Sequence, residues 1–117
     1  MNRKEKNEKK KIISENIDLK NERYTDYEVE KLYNFANNFS DYEGKEKNTK
    51  SRHNSFSSDG KFSSELNNRY TIKKDDSGIH VEQKQHYHDD DGKDYETSIK
   101  HNSGRNILQL LSDIFDL

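Results

Sequence analysis

RYTIKKDDSGIHVEQKQHYHDDDGKDYETSIK, residues 69–100, holds three runs of alternating side chains separated by two turns. Successive side chains of a strand point to opposite faces, so residues two apart share an environment. In the first run Tyr70 and Ile72 share one face, with Arg69, Thr71 and Lys73 on the other. In the second, Ile79, Val81 and Tyr87 oppose His80, Glu82, Lys84, His86 and His88. In the third, Tyr95, Thr97 and Ile99 oppose Asp94, Glu96, Ser98 and Lys100. A loop Asp75-Asp76-Ser77-Gly78 predicts Ile72 opposite Val81. A loop Asp90-Asp91-Gly92, with Gly92 left-handed, predicts Tyr87 opposite Tyr95. Slipping the second hairpin by one residue would set Tyr95 against His88 and send the apolar set to the wrong face. The stretch is therefore expected to be a three-stranded antiparallel meander with one apolar face.

Helical signals flank it. Thr25 with Glu28 three residues on forms a capping box, and Val29, Leu32, Ala36 and Phe39 recur at steps of three and four, with Tyr33 and Phe35 beside them. After the meander Ser103 is a cap, and Arg105 to Leu117 carries Ile107, Leu108, Leu110, Leu111, Ile114 and Phe115. This last helix is expected to cover the sheet or to mediate a homodimer; otherwise the chain is a monomer. The expected class is α+β: helix, three strands, helix.

Length and composition set bounds. A chain of 117 residues, 26% hydrophobic and 38% charged, has room for one small core. A mean hydropathy of −1.47 predicts that a sizeable part is disordered. Residues 1–24 are accordingly expected to be a flexible Lys-rich arm, with Ile12, Ile13, Ile17 and Leu19 a short apolar patch for docking on the domain or on a partner, and residues 25–117 one domain with a flexible insert at 40–68. Removing residues 1–11 should then leave stability unchanged. The absence of cysteine excludes disulfides and thiolate metal sites. No apolar run approaches a membrane span or a signal-peptide core, so no membrane is expected as a partner. The abundance of Lys, Asn, Asp, Glu and Ile, with one alanine and no proline, fits AT-rich coding, as in a low-GC bacterium or its phages and plasmids. The expected setting is the cytoplasm of a bacterial host cell.

Three groups of residues carry possible chemistry. Asp89, Asp90 and Asp91, with Asp94 beyond the turn, form an acidic tip where a turn needs only one Asp or Asn before Gly92. With Glu82, Lys84 and Glu96 on the polar face they would meet a protein partner, the tip suiting a basic groove that normally holds phosphates. Lys45, Lys47, Lys50 and Arg52 make the insert locally basic and are the candidates for direct nucleic-acid binding. His86 and His88 share a strand face, with Glu96 expected opposite His86, a ligand set that zinc or iron uses. No nucleophile elbow, phosphate-binding glycine loop or calcium loop is present. No cofactor and no enzymatic activity are expected.

Helix, three strands, helix is also the order of the double-stranded RNA-binding domain. That family reads RNA with a Lys-rich start to its last helix, whereas Ser103-Gly104-Arg105-Asn106 offers Arg105 alone. The topology is shared without the RNA-reading residues. In size, charge, coding bias and element order the chain resembles, as a class, anti-CRISPR proteins and similar small phage inhibitors. That resemblance implies a non-enzymatic binding module, an inhibitor or regulator of a nucleic-acid-handling protein. Direct nucleic-acid binding is the alternative, and a metal-dependent enzyme built on the His-x-His strand stands third.

Overall fold

A computed structural model describes all residues, Met1–Leu117. Its elements run α1 (Arg3–Ser14), α2 (Asp26–Asn37), a 3-10 turn (Phe39–Asp41), β1 (Glu46–Ser57), β2 (Gly60–Asp75), β3 (Gly78–Asp89), β4 (Asp94–His101) and α3 (Gly104–Asp113). The four strands form one antiparallel sheet in the order β1-β2-β3-β4. The class is α+β, as expected, and both predicted registers hold, with Ile72 against Val81 and Tyr87 against Tyr95. Gly92 takes the left-handed conformation, φ 84°.

The expectation fails at both of its flexible segments. Residues 40–68 are not an unstructured insert; they supply β1 and the first half of β2, paired from Glu46↔Thr71 to Ser57↔Gly60. The sheet thus has four strands rather than three. The first 24 residues are not a loose arm either. Asn2 caps α1 by accepting from the Glu5 amide at 2.8 Å. Lys6 pairs with Asp26 of α2 at 3.2 Å and Lys9 pairs with Glu30. The chain then crosses the base of the sheet as a strap. The Ile79 amide donates to the Asn16 carbonyl at 2.8 Å, and the Gly104 amide donates to the Asp18 carbonyl at the same distance. A Cβ on Gly78, φ +116°, would stand 2.3 Å from the Asn16 oxygen, so only glycine lets the strap lie this close.

The core holds sixteen buried apolar residues, all at one end of the molecule. α1 and the strap give Ile13, Ile17, Leu19 and Tyr24; α2 and its 3-10 extension give Val29, Leu32, Phe35 and Phe39. α3 and the residues after it give Ile107, Leu108, Leu111 and Phe115, so of the two roles expected for this apolar stripe it covers the sheet within the chain. The whole sheet contributes only Tyr70, Ile72, Ile79 and Val81. A polar belt marks where the core stops. The Gln83 amide donates to Asn68 at 3.0 Å and to the Tyr70 hydroxyl at 3.1 Å, and its oxygen lies 2.7 Å from His101 Nε2. Beyond the belt the sheet continues as an arm with no second layer, and the molecule measures 65 × 26 × 23 Å.

Candidate functional site

The arm has two open faces, and strand alternation sorts its side chains between them. One face, in register across the four strands, carries Lys50, Asn67, His86 and Glu96 in one row and Arg52, Glu65, His88 and Asp94 in the next. Asn48, Arg69, Lys84 and Ser98 form the row nearer the base. A shallow concavity of about 430 Å³ lies over these rows, lined by Asn48, Lys50, Asn67, Arg69, Lys84, His86 and Glu96 among others, with no hydrophobic residue. A second, of about 290 Å³, lies nearer the tip between Arg52, Lys61, Glu65, His88 and Asp90.

Charges on this face are paired loosely. Glu65 is the hub, with Lys50 at 2.7 Å, His88 at 3.2 Å and Arg52 at 3.7 Å. Lys84 and Arg69 stand at 4.0 Å from Glu82 and 3.9 Å from Glu46, and Glu96 makes no ion pair. Glu82 is held below the usual carboxylate range chiefly by the hydrogen bond from Lys73. The long Arg69–Glu46 and Lys84–Glu82 contacts contribute little to stability, so a partner can exchange them for its own at small cost.

The sequence-predicted residues separate into three outcomes. Glu82, Lys84, Asp94 and Glu96 do share one face, as their register implied. The acidic tip is different: its aspartates are mostly consumed by the turn. Asp89 accepts from the Tyr87 hydroxyl at 2.8 Å and from the Asp91 and Lys93 amides at 2.9 and 3.0 Å. Desolvation alone would raise its pKa, but those bonds hold it below the ordinary value. Asp90 accepts from the Ser63 amide at 2.7 Å and so fastens the turn to β2. Asp94 lies 2.5 Å from His86 Nε2, which leaves Asp91 as the tip's uncommitted carboxylate. Asp89 and Asp90 thus have hydrogen-bond partners within the fold.

The basic insert is divided by the pleat. Lys50 and Arg52 lie on the charged face under Glu65, Lys47 lies on the opposite face, and Lys45 sits over the Tyr42 ring. The four cations do not make one phosphate-binding row. Arg105, the cation at the start of α3, is occupied by Glu28, Glu22 and the Arg23 carbonyl. For the metal candidate, Glu96 stands opposite His86 in register, but His86 turns to Asp94 and His88 to Glu65. No three such side chains converge to hold an ion.

Sequence reading missed Arg69, which joins Lys84 in the concavity, because β1 beside it was not recognised. Asp59-Gly60, a hairpin-turn pair, was the available signal. His80 lies on the polar face, as the alternation implied, but it is buried there, and its Nδ1 is the one buried side-chain polar atom without a hydrogen-bond partner. The class defined by these observations is a small α+β module with an open, two-faced sheet. No protein family, curated protein or solved structure matches the chain. No helix is long and apolar enough to cross a membrane.

Proposed function

We propose that the chain is a non-enzymatic binding module, an inhibitor or regulator of a nucleic-acid-handling protein carried by a mobile element, and that it engages its target through the charged face of the arm. The observation that carries the reading is the arm itself. A helix-capped core at one end holds out a sheet whose charges are gathered on one face. Its concavities are open and mixed in charge, and no three ligating side chains converge to hold a metal, which suits recognition better than catalysis. Arg69, Lys84 and Glu96 are loosely committed charges over the first concavity, and charges so placed steer association and fix register.

The test is affinity capture from host lysate by the wild-type protein and by Arg69→Glu/Lys84→Glu, each with and without nuclease. A nucleic-acid-handling protein retained after nuclease and lost about tenfold or more in the variant, about 1.4 kcal/mol, supports the reading. Retention that disappears with nuclease would favour direct nucleic-acid binding. Equal capture by both proteins would remove the charged face from the account.

A further inference from the structure

The second face of the arm differs from the first in one respect: it carries almost no charge. From Thr49 in β1 across to His101 in β4, its positions are Ser, Thr, Asn, Gln, Gly and His around Phe62, Leu66, Tyr87, Tyr95 and Ile99. No Asp, Glu, Lys or Arg stands among them, in a chain where 38% of residues are charged. Charge returns only at the borders, with Lys47 at the base and Asp89 at the tip, the latter tied to Tyr87. Tyr87 and Tyr95 stack with ring centroids 5.1 Å apart, and Tyr95 is still 56% exposed. This face continues the side that the helices cover at the base.

A solvated sheet face has no reason to exclude charge, and the other face of the same strands does not. Depletion of charge with retention of tyrosine is the composition of a protein interface core. The absence of cations rules against a nucleic-acid platform, where stacking rings are combined with a basic groove. A sheet normally buries one face under a second layer, and here that layer ends at the Gln83 belt.

We infer that the missing layer is a second copy of this chain, two arms packing uncharged face to uncharged face as a sandwich. A surface that meets itself cannot carry net charge without repelling its copy, and Ser, Thr, Asn and Gln donate and accept alike. The arm's extra exposure shows in the accessible surface, 7822 Å² against roughly 6,700 Å² for a compact monomer of this mass. Beyond the belt the face spans about nine residues of β1 and β2 and about six of β3 and β4, which at about 4.8 Å between strands and about 3.3 Å per residue is about 480 Å². Two copies would bury about 1,000 Å², the size of a weak, reversible interface. Such a dimer leaves both charged faces outward, so it is independent of the target proposed above.

Sedimentation equilibrium across the micromolar range tests it. The wild-type protein should reach twice the 13.9 kDa chain mass. Thr97→Glu and Ser51→Glu, each exposed on the uncharged face, should stay monomeric with unchanged circular dichroism, while Ser98→Glu, exposed on the charged face, should dimerise as the wild type does. Two substitutions on different strands guard against a local folding defect in either. A wild type that is monomeric throughout, or a dimer that survives both glutamates, would overturn the inference.

Discussion

Val81 and Lys84 are three positions apart on β3 and belong to opposite faces. Val81 is fully buried against the helices, while Lys84 is half-buried at the concavity. Val81→Asp would place a carboxylate in the core without a partner, at a cost of several kcal/mol out of a total stability of roughly 5–15. Circular dichroism should show that variant unfolded and Lys84→Asp folded; two equally folded proteins would refute the face assignment. His101 lies at the rim of the core, and burial pushes its pKa below the ordinary 6.5. The fold therefore holds the neutral ring, and the unfolded chain takes up the proton first. Its contribution is complete above the unfolded value and is lost as pH falls from 6.5 toward the folded one. Melting temperature between about pH 7 and 5 should fall more steeply in the wild type than in His101→Gln. An equal slope would show that other groups govern the acid response.

At the scale of elements, α1 and β1 are the two that hydrophobic periodicity does not mark. β1, EKNTKSRHNSFS, is exposed along its whole length, so no apolar alternation was ever required of it. Pairing with β2 holds it in place. α1 has no apolar residue between Met1 and Ile12, and its helical state rests on its cap and on ion pairs to α2. Its one buried side chain, Ile13, comes at the end. Deleting residues 1–11 removes most of that helix and the two lysines that dock it, so Ile13 loses its support. The melting temperature should drop by about 5–15 °C, the equivalent of one to two kcal/mol in a domain of this size. A drop of less than about two degrees would mean that the strap docks without its helix.

For the whole molecule, a core at one end and a sheet extending from it give a radius of gyration of 18.4 Å, against about 13 Å for a compact chain of this length. Small-angle scattering of the Thr97→Glu variant should recover the larger value, and a value near the compact one would mean that the arm folds back. The elongation follows from composition. With 26% hydrophobic residues the chain can close one small core, and the helices and strap supply twelve of its sixteen members. The strands outrun the helices, and their surplus length faces solvent on both sides.

The sequence by itself determined the meander, both of its registers, the capping box of α2, the cap of α3 and the sharing of one face by Glu82, Lys84, Asp94 and Glu96. Each of these is written locally, in alternation, in turn residues or in helical spacing, because one face of the element is buried or its turn demands a particular residue. Only the tertiary structure decided that residues 40–68 are strand, that the first 24 residues strap the core, and that Asp89 and Asp90 serve the turn. Those outcomes depend on backbone pairing and ion pairs between distant segments, which leave no period in the chain. The segregation of charge between the two faces of the arm emerges in the same way. On β1 and the first half of β2 it exists only once the two strands are aligned, and until then the uncharged positions there are every second residue of a stretch that reads as polar.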